Sequence, residues 1–196
     1  MLGLRSSSDV LVIEDPQFPD SMTTVWPAAH IAQLLTNAFS PAANSFKKSS
    51  TSDEPTATID TLITFDRRGV SSHPNHISLY HGARHWLSSL MVGKGGWKCP
   101  VEFYTLTTTN IVRKYISFLD APITMLIAPF RDASFTKKKR RDEPPSLLYI
   151  SDVGSWLKGQ KAMVTGHKSQ MRWFRWGWVA VGRYMVVNDL KRESVS

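Results

Sequence analysis

The chain has 196 residues, 42% of them hydrophobic, enough to bury one respectable core and to expect a single domain over 1–196. One cysteine, Cys99, excludes an internal disulfide framework and fits a reducing compartment, and no apolar run reaches the roughly 20 residues of a membrane-spanning helix. The formal charge of +8 raises nucleic acid or an anionic membrane surface as partners, but much of the excess is the local run Lys137–Arg141, which lacks interleaved aromatics and reads as a solvated loop, so a nucleic-acid partner is not expected.

From the amino terminus, the first residues show no apolar segment of the secretory kind. Val10–Ile13 reads as a short buried strand, and Pro27–Leu35 as a helix with Ile31, Leu34 and Leu35 on one face. Residues 40–58 are rich in Ser, Thr, Ala, Pro and Lys without periodicity, the composition of a loop insertion. Asp60–Phe65 reads as a buried strand, followed by a turn and a helix from Pro74. Val101–Leu106 is a strand, Asn110–Leu119 a helix, residues 134–145 a basic loop, Leu147–Ile150 a strand, and Ser155–Asn188 mostly helical. Tyr115–Phe130 is apolar, but Asp120 and two prolines interrupt it. Alternation of this kind predicts an α/β domain with a mostly parallel sheet flanked by helices, its site where strands end and loops lead into helices.

One such edge carries Thr64-Phe-Asp-Arg-Arg-Gly-Val-Ser-Ser-His-Pro-Asn-His76. Gly69 permits a tight turn, and Pro74 suits the first helical position because its missing amide donor would be unsatisfied there anyway. His76 lies on the same helical stripe as Leu79, Tyr80, Ala83, Trp86, Leu87 and Leu90, and so points inward. His73 sits at the mouth of the turn, and Asp66, at the strand end, is placed to orient a ring nitrogen. Two readings stand open: a capping histidine with a satisfied inward neighbour, or half of a metal site. His81 and His85 lie off that stripe and read as surface residues.

The motif resembles the T-F-D-x-x-G-V-S-G-H-x-N-H signature of the PIG-L family, N-acetylglucosaminyl-phosphatidylinositol de-N-acetylases within the wider LmbE-like zinc deacetylases. Two further blocks resemble the same family in the same order: Asn110-Ile-Val-Arg-Lys-Tyr-Ile-Ser-x-x-Asp120, and His167-Lys-Ser-Gln-Met-Arg-Trp-Phe-Arg175 with Arg183-Tyr-Met185 and Asn188. Leu2-Gly-Leu4 and Asp15–Trp26 look like its middle region. The resemblance implies a Rossmann-like fold and zinc-dependent hydrolysis of the N-acetyl group of N-acetylglucosaminyl-phosphatidylinositol, the second step of glycosylphosphatidylinositol anchor synthesis, at the cytoplasmic face of the endoplasmic reticulum membrane. Carried over by position, His76 is a zinc ligand, His73 stabilises the transition state and protonates the leaving amine, and Asp66 orients a ring. Arg113, Lys114 and His167 are candidates for substrate phosphate, although a structural salt bridge accounts for Arg113 and Lys114 equally well.

Two departures matter. Ser72 stands where the family has glycine. The family's A-H-P-D-D-E motif, which supplies the other zinc ligands and the catalytic base, has no counterpart here. The expectation is therefore a chain lacking an amino-terminal strand and helix, with exposed apolar sheet surface, one that does not retain zinc and is inactive by itself. The alternative is a non-catalytic member that binds the glycolipid or a protein partner. Finally, Met171–Met185 mixes Trp173, Trp176 and Trp178 with Arg172, Arg175 and Arg183, which suits either a bilayer interface or a helix packed on the sheet.

Overall fold

The computed structural model describes residues 6–41, 54–133, 144–166, 168 and 171–195, which leaves His167, residues 137–141 and most of the 40–58 and 134–145 loops outside. It forms two compact units, one of residues 15–108 with 191–196, the other of residues 1–14 with 109–190.

In the first unit, α1 (Ala28–Phe39) buries Ile31 and Ala32 and extends one turn beyond the expected end at Leu35. Strand β1 (Thr61–Phe65) leads into α2 (Gly69–Ser72), a single distorted turn, and then α3 (Pro74–Leu90). Pro74 opens α3 as its composition predicts, and the apolar stripe packs inward, with Trp86 and Leu87 fully buried. Strand β2 (Glu102–Leu106) runs parallel to β1 in the register Thr61↔Glu102 to Phe65↔Leu106. The core consists of Ala32, Tyr80, Ala83, Trp86, Leu87, Val101 and Phe103, with Tyr80 stacked on Phe103 at 6.0 Å between ring centroids. The Trp86 indole also donates to Ser40 Oγ at 2.9 Å, so its polar edge is satisfied inside the core.

The second unit holds a 3-10 turn at Ser7–Asp9, then α4 (Ile111–Lys114), capped by the Asn110 side chain, and a 3-10 turn at Ser117–Leu119. The expected single helix over Asn110–Leu119 is thus broken, because Ser117 takes a left-handed φ of 50°. The run Tyr115–Phe130 instead contributes to α5 (Asp120–Ala133), in which Pro122 lies in the first turn, where it costs no hydrogen bond, and Pro129 is accommodated inside. Strand β3 (Ser146–Ile150) follows, then α6 (Val153–Gly166), α7 (Trp173–Val181) and a 3-10 turn at Arg183–Met185. The stretch read as helical to Asn188 ends instead in strand β4 (Val187–Arg192). Val10–Ile13 is not a strand: it pairs with nothing regular, and its side chains are exposed.

The strands hydrogen-bond in the order β1-β2-β4-β3. Glu193 N donates to Phe103 O while Thr105 faces Lys191, so β4 descends as β2 ascends. Ser151 N donates to Val186 O where β3 ends and β4 begins, which makes that pair antiparallel too. The architecture is α/β with a four-stranded sheet flanked by helices, but the sheet is mixed, and only β1–β2 has the expected parallel sense. Ile63 on β1 and Tyr149 and Ile150 on β3 expose apolar sheet surface. Among the described residues, no helix is long and apolar enough to cross a membrane.

Candidate active site

The turn between β1 and α3 is built from backbone that most residues avoid. Gly69 (φ 61°), Val70 (φ 60°) and Ser72 (φ 59°) all occupy the left-handed region. Gly69 adopts that region freely, but a residue with a Cβ resists it by roughly 1–2 kcal/mol, so Val70 and Ser72 persist there only if the surroundings hold them. Ser72 shows how the departure from the family's glycine is absorbed. The serine keeps the left-handed backbone that glycine would take without strain, and its side chain is exposed.

The holding groups are visible. Asp66 Oδ1 accepts from Arg68 N at 3.0 Å and from Thr108 Oγ1 at 2.6 Å, while Oδ2 accepts from Thr108 N at 2.7 Å. Thr108 Oγ1 in turn accepts from Val70 N at 2.9 Å. Asp66 therefore uses its carboxylate on the turn and on Thr108, and its hydrogen bonds reach neither imidazole directly. On the helix side, Asn75 is buried, with its amide 3.3 Å from Pro19 O and 3.4 Å from Asp20 Oδ1. Turned over, the same group reaches Ser21 O at 3.2 Å and Thr24 O at 3.0 Å. Trp26 N donates to Ser78 Oγ at 2.9 Å, which fastens the same segment one turn further along α3.

The two histidines face each other with ring centroids 4.9 Å apart. His73 is the N-cap of α3, and its Nδ1 accepts from Asn75 N at 3.3 Å, so the neutral ring carries its proton on Nε2. His76 stacks on Phe65 at 3.9 Å, and its Nδ1 lies 3.1 Å from Gly69 O. A carbonyl oxygen only accepts, so this ring carries its proton on Nδ1 and presents a lone pair at Nε2. Burial holds the His76 imidazole below the ordinary histidine range. The Gly69 carbonyl opposes that shift, the neighbouring His73 adds to it, and the Asp20 carboxylate again opposes it. The pair thus offers one N–H and one lone pair on adjacent rings, and among the described residues neither Nε2 has a hydrogen-bond partner.

Asp66, His73 and His76 are thus brought into one turn. His81 and His85 are exposed on α3, as their positions predict. Arg113 and Lys114 belong to the second unit. There the Arg113 guanidinium grips Asp120, with Nε to Oδ1 at 2.6 Å and Nη2 to Oδ2 at 2.9 Å, the structural alternative to a phosphate site. Lys114 is half-buried at the end of α4. His167 lies outside the described residues.

Thr108 and Asn75 are the residues that the sequence reading overlooked. A signal for Thr108 existed: β1 and β2 are parallel neighbours in register, so the residues just past their ends meet.

Comparison with known proteins finds relatives along nearly the whole chain. The chain is 51% identical over 214 aligned residues to N-acetylglucosaminyl-phosphatidylinositol de-N-acetylase of Arthroderma benhamiae, an alignment covering 99% of this chain and 63% of the relative. It is 33% identical to the probable enzyme of that name from Schizosaccharomyces pombe, over 95% of this chain and 62% of the relative. The Bos taurus protein of that name is 32% identical, over 97% and 60%. The chain is a homologue of these N-acetylglucosaminyl-phosphatidylinositol de-N-acetylases. It spans about three fifths of the length of these curated relatives. No protein-family model matches the chain, and no solved structure matches it.

The PIG-L resemblance implies zinc, and the donors on hand can be tested against it. Among the described residues no group of three or more His, Cys, Asp or Glu is disposed to hold a metal ion. His76 Nε2 is one suitable nitrogen, short of the roughly three protein ligands a catalytic zinc needs. The described residues alone therefore do not fit a catalytic zinc site.

Proposed function

We propose that this chain supplies the histidine half of the centre of an N-acetylglucosaminyl-phosphatidylinositol de-N-acetylase. The observation that carries the reading is the pair of hydrogen bonds at the two Nδ1 atoms, which sets complementary tautomers on the two rings. Amide hydrolysis needs a proton for the departing amine and a donor for the oxygen that becomes negative. Neutral His73, with its N–H on Nε2 at the mouth of the turn, is a donor for that oxygen, and only after taking up a second proton is it an acid for the amine. His76, held with its lone pair at Nε2, contributes one donor nitrogen, and on this reading the other metal donors come from outside the described residues. The names of the curated relatives supply the substrate class.

The test is a chimera in which this chain replaces the matching stretch of the Arthroderma benhamiae relative, assayed by acetate release from N-acetylglucosaminyl-phosphatidylinositol. The chimera is expected to turn over. Replacing His73 or His76 with Ala is expected to slow it by about 10²–10⁴-fold, the range for a positioned acid–base group. A His76→Ala chimera as fast as its parent would refute the reading.

On the same reading the substrate lies in a bilayer, at the cytoplasmic face of the endoplasmic reticulum, and α7 is the surface that meets it. Val179 is the buried residue of this helix, whereas Trp173 is 86% exposed and Phe174 and Trp176 are more than half exposed. Arg172 and Arg175 flank them. Exposed indoles beside arginines suit headgroup depth better than solvent. In co-sedimentation with anionic phosphatidylinositol vesicles, Trp173→Ala with Trp176→Ala is expected to lower the bound fraction about fivefold or more. Unchanged binding removes α7 from the interface.

A further inference from the structure

The peptide unit joining Gly69 to Val70 is held on both faces. Its carbonyl oxygen accepts from His76 Nδ1, 3.1 Å away, and its N–H donates to Thr108 Oγ1, 2.9 Å away. The Thr108 hydroxyl donates its own proton to Asp66 Oδ1 at 2.6 Å, and Thr108 N donates to Asp66 Oδ2 at 2.7 Å. A continuous chain therefore runs from carboxylate to hydroxyl, through one peptide unit, to imidazole. Each link has a single possible direction. The carboxylate only accepts, so the hydroxyl must donate to it, which leaves the hydroxyl oxygen to accept from Val70 N.

We propose that Thr108 is a positioning residue for His76, fixing the orientation of the Gly69–Val70 peptide and, through the Gly69 carbonyl, the tautomer in which His76 presents Nε2 as an acceptor. The physical reason lies in the backbone. Val70 sits at φ 60° and ψ −45°, where a β-branched residue is disfavoured. Without an acceptor for its N–H, rotating the peptide plane would relieve the strain and turn the Gly69 oxygen away from His76. The imidazole would then have nothing to hold its proton on Nδ1. Gly69 itself cannot be replaced to compensate, because a Cβ there would lie 3.0 Å from both His76 Cβ and Ile77 Cγ1. Asp66 thus orients His76, but at one remove, through a hydroxyl 42 residues along the chain. Chains of this kind, in which a carboxylate sets the tautomer of a working imidazole, are a familiar role for groups behind a site.

The functional meaning of the inference rests on the proposed role of His76, but its test reads the ring itself and not catalysis. The 196-residue chain is labelled with ¹⁵N-histidine, and His76 is assigned by loss of its signals in His76→Gln. Two-bond proton–nitrogen spectra at about pH 8.5, where an ordinary histidine is neutral, then report which nitrogen carries the proton. The parent chain is expected to show one tautomer, protonated on Nδ1. Thr108→Val, which keeps the shape and removes the hydroxyl, is expected to show a mixture of both, while Thr108→Ser restores the parent spectrum. Amide exchange at Val70 is expected to quicken about fivefold to tenfold in Thr108→Val and to recover in Thr108→Ser, as loss of one hydrogen bond implies. Should Thr108→Val fail to fold, Asp66→Asn reads the same chain from its far end and is expected to give the same mixture. A single Nδ1 tautomer in whichever of these two variants folds overturns the proposal. An inactive chimera with the expected tautomer change would instead sink the deacetylase reading and leave Thr108 in its role.

Discussion

Replacing Asp120 with Ala is expected to destabilise the protein by about 3–5 kcal/mol, the usual consequence of stranding a buried charge. Asp120 and Arg183 are both 0% exposed. The carboxylate is the hub of the second unit. Arg113 pairs with both of its oxygens, Arg183 Nε pairs with Oδ2, and Thr124 donates to Oδ2 at 2.8 Å. Through Nη2, Arg183 keeps two further side-chain partners, Asp189 at 2.6 Å and Thr124 at 3.0 Å, and among the described residues its Nη1 has no hydrogen-bond partner even in the intact protein. Removing Asp120 therefore leaves a fully buried guanidinium half paired. Burial alone would raise the Asp120 carboxyl, but the hydrogen bonds from Arg113, Arg183 and Thr124 outweigh it and hold the group below the ordinary aspartate range. A carboxylate with a depressed folded value contributes stability that is present above its unfolded value, near 3.9, and is lost as pH falls through the folded one. The gap between parent and Asp120→Ala is thus expected to be full at neutral pH and to narrow on acidification below about pH 4. Urea unfolding at pH 7 and at pH 3 measures both. A difference under about 1 kcal/mol at pH 7 would place this network among ordinary surface ion pairs.

The second large effect is expected at Gly82, where intrinsic propensity and packing point in opposite directions. Glycine inside a helix is about 1 kcal/mol worse than alanine, so propensity alone predicts that Gly82→Ala stabilises α3. The packing forbids it. A Cβ at position 82 would stand 2.4 Å from both Cβ and Cγ2 of Ile31, which is itself buried on α1. Ile31 Cβ is fixed to its helix and cannot swing aside, so α1 and α3 must separate, and overpacking of this kind costs about 1–3 kcal/mol. The net expectation is a loss of about 1 kcal/mol, and at most about 2, in thermal or urea unfolding, partly recovered when Gly82→Ala is combined with Ile31→Ala. A Gly82→Ala protein more stable than its parent would mean that the two helices do not touch there.

These cases show where the sequence was legible. α1, β1, α3 and β2 could be read because their apolar residues repeat at helical or strand spacing, and Pro74 marks a helix start by chemistry that is local. The start of the site was legible for the same reason: His73 caps a helix and His76 shares its inward stripe. What failed was decided at a distance. Val10–Ile13 has the composition of a buried strand but no partner to pair with. Val187–Arg192 has too many polar residues to look like a strand, yet Asp189 is buried there because it meets Arg183. Asp66 was expected beside an imidazole, because local spacing shows the carboxylate and the rings but not the threonine that comes between them.

The left-handed turn at Gly69–Ser72 also bears on when the site comes into being. A helix can form as soon as its own residues exist, but this turn is unfavourable on its own and is closed by Thr108, which leaves the ribosome 42 residues after Asp66. During synthesis α3 can therefore be present, histidines and all, while the rings remain unset. Their final arrangement arrives only when β2 docks beside β1, so the chemistry of this segment is a late product of folding.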